Sequence, residues 1–226
     1  SGVGSSSAFV VGLVNAINKL KNLDISKFNL AKKSVYLETK ILKEVVGSQD
    51  QVACAYGGFN NIIFKKDGTF IVKKIKISNQ KIHELENNLF LVYSKIQRTA
   101  EIVAKSFVQN LTNNKIYEMK KINSLVKDAK YILKNQDLDN FGNLLNESWE
   151  FKKRLSDIVS NNHLDDLDEY AIKSGASGGK LLGAGGGGFF IFYVKKNKQK
   201  IFLNKMKKSL IIPFKFEKQG SQSKKI

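Results

Sequence analysis

The chain has one cysteine, one proline and two histidines, and each scarcity excludes something. A lone thiol, Cys54, rules out an internal disulfide framework and fits a reducing cytoplasm. With only His83 and His163 beside it, no zinc-type ligand cluster can be assembled. Long apolar runs are missing too: none approaches the roughly 18 to 20 residues that a membrane-crossing helix needs, so no membrane partner is expected. The N-terminal apolar stretch has no cationic segment in front of it and does not read as a signal peptide. Arginine is almost absent, since only Arg98 and Arg154 are arginine among 38 basic residues. The net charge of +18 therefore does not point to nucleic acid, whose phosphates and bases favour the planar arginine fork. Lysine scattered along a whole chain reads as a solvated surface.

What is present is the apolar and charged balance of an ordinary globular protein, in 226 residues that suffice for one large domain or two small ones. Apolar residues at helical spacing predict a helix over Ala8–Leu20, with Ser5 to Ser7 as its cap. A second helix is expected over Lys32–Val46, closed by Gly47, and a short one over Gln49–Tyr56, ended by Gly57-Gly58. The period then changes to two. Asn60–Phe64, Thr69–Ile75 and Leu89–Tyr93 read as strands, with Lys66-Asp-Gly68 as a hairpin turn. From Thr99 to Gly175 the pattern is helical again, broken near Asn113-Asn114, Asn135 to Asp137 and Asn161-Asn162. Phe189–Tyr193 reads as an apolar strand, followed by a helix over Gln199–Leu210 and a strand near Pro213–Phe216, with the proline at its start. Helices, strands, helices and a late strand pair make an α+β chain rather than a regular βαβ alternation.

Glycine is concentrated in two loops. The first, Gly2-Val-Gly-Ser-Ser-Ser-Ala8, runs directly into a helix. Such a turn aims several N–H groups at one point, and the helix dipole adds positive potential there, which suits phosphate. Serine hydroxyls can bond phosphate oxygens or ligate Mg²⁺. A plain capped helix start reads the same way, and no lysine follows as in a Walker-type loop. The second loop runs from Gly178 to Gly188, and its stretch Lys180-Leu-Leu-Gly-Ala-Gly-Gly-Gly-Gly-Phe189 leads into the Phe-rich strand. Five glycines in six positions carry a conformational-entropy cost of several kcal/mol. A flexible linker would be flanked by polar residues. Close approach of this backbone to a ligand, or to another part of the core, explains the glycines.

The two loops together resemble motifs two and three of the GHMP kinases. Further stretches, Gly47-Ser-Gln-Asp-Gln51, Ala55-Tyr-Gly-Gly-Phe-Asn60, Arg98-Thr-Ala100 and Glu147-Ser-Trp149 followed by Lys152-Lys153, are similar to the D-glycero-D-manno-heptose 7-phosphate kinase branch. The resemblance implies a partial ribosomal-protein-S5-like N-terminal domain over residues 1–68 and a ferredoxin-like C-terminal domain over 69–226. It implies a cytoplasmic enzyme that takes ATP, Mg²⁺ and a sugar phosphate, with a homodimer as the expected assembly. Family members carry strands and motif one ahead of motif two, so the chain is expected to be a piece that starts inside motif two. In that case the apolar residues Phe9, Val10, Leu13, Val14, Ile17 and Leu20 of the first helix lack a sheet to bury against. By carry-over, Gly2, Gly4, Ser5, Ser6 and Ser7 wrap the nucleotide phosphates, and Lys180, Gly183, Gly185, Gly186 and Gly187 line the same cleft. Ser6 and Glu38 are the expected Mg²⁺ ligands and Asp50 the catalytic carboxylate, with a helix cap as its alternative role. Arg98, Gly57 and Gly58 are expected at the sugar phosphate. Lys95 departs from the branch, which often has glycine there.

Overall fold

A computed structural model describes residues 2–97, 103, 106, 115–135 and 138–225. The breaks expected near Asn113-Asn114 and after Asn135, and the position of Arg98, lie outside the described residues. The chain divides into two compact units: Gly4–Lys76 joined by Phe216–Ile226, and Ile77–Lys215 joined by Ser1–Val3. We call them the helical unit and the sheet unit. The boundary between the two units lies at Lys76/Ile77, and the last residues return to the first unit.

The helical unit starts at Gly4, whose φ of 69° is left-handed and turns the chain into α1 (Ser5–Leu20). Val11 of α1 meets Leu30 and Ala31 of α2 (Lys27–Tyr36) and Val52 and Ala55 of α3 (Gln49–Tyr56) in a small core closed by Phe70. The α2 helix begins earlier than its apolar pattern predicts, because the Ser26 hydroxyl accepts from the Asn29 N–H at 3.2 Å and caps it. It also ends earlier: the chain passes through a π turn, Leu37–Ile41, and reverses at Lys43 with φ 55°, before the glycine at 47. A hairpin follows, β1 (Asn60–Phe64) with β2 (Phe70–Lys74). The Asp67 carboxylate accepts from the Thr69 N–H at 2.9 Å and from its hydroxyl at 2.6 Å, holding the tight turn. On α1, Val10 is buried and Val14 packs on the core, whereas Phe9 (70% exposed), Leu13, Ile17 and Leu20 (73%) face outward.

The sheet unit opens with α4 (Asn79–Asn88), capped by Ser78, and runs into β3 (Leu89–Tyr93). Helices α5 (Ile116–Asn135), α6 (Phe141–Lys153) and α7 (Asn162–Lys173) follow. They lead to β4 (Gly178–Leu181), β5 (Phe189–Tyr193), α8 (Gln199–Lys205) and β6 (Ile211–Ile212). The strands lie in the order β4-β5-β3-β6 with each recorded pairing antiparallel. With helices after β3 and β5, this is the ferredoxin-like βαββαβ arrangement. The period of two puts Val92, Phe190, Phe192 and Leu181 on the core side with Trp149 of α6 and Phe202 of α8, all fully buried. Trp149 meets Phe190 edge-on at 5.5 Å, a favourable aromatic geometry.

Two strands differ from their sequence patterns. The late strand is Ile211–Ile212, ahead of Pro213, because proline cannot supply a ladder N–H. The residues Gly178–Leu181, read above as loop, form β4 instead. Their glycines serve close packing: a Cβ on Gly178 would lie 2.0 Å from the Gly142 carbonyl oxygen, and one on Gly179 would lie 2.2 Å from the Phe192 ring. Only bare backbone lets α6 sit this near the sheet.

Candidate active site

In the helical unit the first turn of α1 and the start of α3 come together. A Cβ on Gly4 would lie 3.4 Å from Asp50 Oδ2, so the carboxylate rests against the loop backbone. Asp50 lies in the first turn of α3, whose preceding residue, Ser48, gives no side-chain capping hydrogen bond. Burial pushes the Asp50 carboxyl above its ordinary range, which makes it a better proton acceptor near neutrality. The π turn carries Glu38 fully inside, as π turns at functional sites often do. There the Ser7 hydroxyl donates to both Glu38 oxygens at 3.3 Å, and the Gln51 amide donates to the same carboxylate. Burial, then the charges of Asp50 and Glu38, pushes the Cys54 thiol up, so the neighbourhood is electronegative.

Among the described residues no lysine or arginine pairs with Glu38, and Gln51 Oε1 is buried without a partner. A buried carboxylate without a counter-charge is costly, and an oxygen-preferring cation would relieve both atoms. No group of three histidine, cysteine or acidic side chains converges among the described residues. The donor set of one carboxylate, hydroxyls and an amide oxygen suits Mg²⁺, which keeps waters and phosphate oxygens for the rest of its shell.

In the sheet unit, the loop between β4 and β5 bends at Gly183 with φ 66°, where a Cβ would lie 2.6 Å from Gly2 Cα. The first glycine of one loop thus touches the first glycine of the other. The Gly186 N–H donates to the Val159 carbonyl at 2.7 Å and the Gly188 N–H to the Ile96 carbonyl at 3.0 Å. Among the described residues, the N–H groups of Gly183, Ala184, Gly185 and Gly187 bond no protein atom, which leaves a row of donors for an anion. Beneath the loop, Lys180 Nζ donates to Ser148 Oγ at 3.1 Å. Lys152 Nζ donates to the carbonyls of Leu181 at 3.1 Å and Gly183 at 2.5 Å.

Two family models match: the GHMP kinases N terminal domain over residues 1–58 and the GHMP kinases C terminal model over 129–212. The D-glycero-alpha-D-manno-heptose 7-phosphate kinase of Campylobacter jejuni is 33% identical over 231 aligned residues, covering 100% of this chain and 68% of that protein. The chain belongs to the GHMP kinases. Among solved structures, a D-glycero-D-manno-heptose 1-phosphate kinase from Bacteroides thetaiotaomicron superposes with a TM-score of 0.77 at 27% identity, covering 97% of this chain and 62% of that one. A mevalonate kinase superposes with a TM-score of 0.72, also at 27% identity, covering 96% and 65%. This GHMP kinase chain therefore spans about two thirds or less of the relatives it matches.

Within the GHMP kinase fold, the expected residues are not all placed as the motifs suggest. Ser7, rather than Ser6, reaches Glu38; Ser6 is exposed in the first turn of α1. Gly57 and Gly58 face the returning tail: a Cβ on Gly57 would lie 2.0 Å from the Gly220 nitrogen, and the Gly58 N–H donates to the Glu217 carbonyl at 2.8 Å. Packing against the tail leaves no space for a side chain at residue 57. Gln51 and Lys152 lie in stretches that carry the resemblance, Gly47–Gln51 and Glu147–Lys153, but the sequence assigns neither a role, because what their side chains meet is set by residues far away in the chain.

Proposed function

We propose that the protein is an ATP-dependent sugar kinase that phosphorylates the C1 hydroxyl of D-glycero-D-manno-heptose 7-phosphate, giving the 1,7-bisphosphate and ADP. The observation that carries the reading is the buried carboxylate of Glu38, held by Ser7, with Asp50 against the glycine of the serine turn of α1, in a chain that also holds a glycine loop with free N–H donors. Phosphoryl transfer asks for little covalent chemistry and much positioning and charge. Asp50 receives the acceptor proton as the hydroxyl oxygen bonds to the γ-phosphorus and the bond to the leaving ADP oxygen breaks. In the sheet unit the N–H groups of Gly183, Ala184, Gly185 and Gly187 are donors for phosphate oxygens; in the helical unit the first-turn N–H groups of α1 are, with Ser5 and Ser6 adding hydroxyls. Glu38 and Ser7 would hold Mg²⁺, which when bound neutralises phosphate charge and screens the approach of the acceptor oxygen. The acceptor is argued from the heptose 7-phosphate kinase relative; the reaction class is argued from the site.

The test is ADP release from MgATP with D-glycero-D-manno-heptose 7-phosphate, beside galactose and mevalonate as competing acceptors. Turnover with heptose 7-phosphate at least tenfold above the others supports the reading. Preference for galactose or mevalonate would move the protein to another acceptor class, and no turnover with any acceptor would remove the kinase reading.

A further inference from the structure

We propose that Lys152 is a positioning residue for phosphoryl transfer, a peg that sets the shape of the glycine loop between β4 and β5. This rests on the kinase reading above. The loop cannot set its own shape: Gly183, Gly185, Gly186, Gly187 and Gly188 all have positive φ, and glycine visits such angles freely without preferring one. Its form must come from outside. Two of its N–H groups are fastened to the carbonyls of Val159 and Ile96. On the carbonyl side, one amine ties down both Leu181 and Gly183. Turning the Gly183 oxygen toward α6 leaves the N–H of the same peptide, that of Ala184, facing away, where an anion can reach it, while the Leu182 N–H stays on the Phe189 carbonyl at 2.8 Å.

The peg is itself anchored. Lys152 Nζ sits 5.9 Å from the centroid of the Trp149 ring, and Trp149 is fully buried against Phe190. The amine therefore joins a fully buried part of the core to the glycine-rich backbone. Burial, with the neighbouring charge of Lys180, brings its pKa down to about 7. Both the neutral and the charged amine carry enough N–H bonds for two carbonyls, so the fastening survives titration. A Mg²⁺ or phosphate contact is not required of Lys152, which distinguishes it from Lys180.

The experiment compares Lys152→Met, which keeps the stem and loses the donors, with Lys152→Arg, which restores them. In the ligand-free protein, Lys152→Met is expected to speed amide exchange at Gly186 and Gly188 by about tenfold or more, with Phe190 and Phe192 unchanged. With MgATP and heptose 7-phosphate, kcat should fall about 10- to 100-fold while KM for ATP stays within about threefold, since misaligned donors cost mainly the transition state. Lys152→Arg should recover most of both. Unchanged loop exchange in Lys152→Met overturns the proposal, and so does equal loss of protection across β5, which would make Lys152 a plain core residue. Should Lys152→Met fail to fold, Lys152→Gln against Lys152→Arg repeats the comparison. If the wild type turns over no heptose 7-phosphate, the acceptor reading has failed, and the exchange arm alone decides whether Lys152 shapes the loop.

Discussion

The two units bury their apolar surface in different ways. The sheet unit closes a core of large side chains, with Trp149, Phe190, Phe192 and Phe202 all fully buried. The helical unit relies on Val11, Leu30, Ala31, Val52, Ala55 and Phe70, and its only strands among the described residues are a hairpin, a form that is marginal by itself. It also turns Phe9, Leu13, Ile17 and Leu20 of α1 outward. Charge is divided as well: the carboxylates Glu38 and Asp50 belong to the helical unit, while Lys152 and Lys180 belong to the sheet unit with the free loop N–H groups. The lesson is that stability and chemistry are distributed unequally.

The carboxylate side is tested most sharply by Asp50→Asn. If Asp50 takes the acceptor proton, steady-state kinetics should show kcat lowered by about 10² to 10⁴, with KM for ATP little altered. An unchanged kcat would leave Asp50 without a chemical role and the division of charge without a function.

The core contrast is tested by Trp149→Ala. Loss of a fully buried tryptophan should cost about 3 to 5 kcal/mol of sheet-unit stability, measured by urea unfolding followed by circular dichroism. A cost below about 1 kcal/mol would mean that the sheet core is no better packed than the helical one.

A pH dependence belongs to the sheet unit. Burial raises Asp168 to about 6, opposed by Lys153 and reinforced by Glu150 and Asp165. The folded state therefore holds this proton up to a higher pH than the unfolded chain does. Between about pH 4 and pH 6 the folded state binds more protons, so stability falls as pH rises through that window. Asp168→Asn should flatten this slope, read from urea midpoints monitored by the fluorescence of Trp149, the only tryptophan. A slope of the same steepness in the variant would assign it to other groups.

The smallest effect is expected from Phe9→Ser. With Phe9 70% exposed, the change should alter stability by less than about 0.5 kcal/mol. A loss above about 1 kcal/mol would show that this face of α1 is covered in solution, and the contrast between the units would shrink.

The parts that were legible in the sequence are those written in neighbouring residues. The α1 helix, the hairpin around Asp67, β3 and β5 all follow from apolar period, turn residues and caps, because the physics that selects them acts over a few positions. Both glycine loops were legible for the same reason: many glycines in few positions need an explanation on the spot. The tertiary structure alone decided the rest, through contacts between residues far apart in the chain. It placed Ser7, not Ser6, on Glu38 across a separation of 31 residues, since the phase of a helix against a distant turn depends on packing. It filled the space over Gly57 with Gly220, which nothing near either glycine announces. It made a strand of Gly178–Leu181, because what those glycines avoid is the backbone of Gly142 and the ring of Phe192. And it set Lys152 under Gly183, since a lysine stem is long enough that only the fold determines which carbonyl its amine meets.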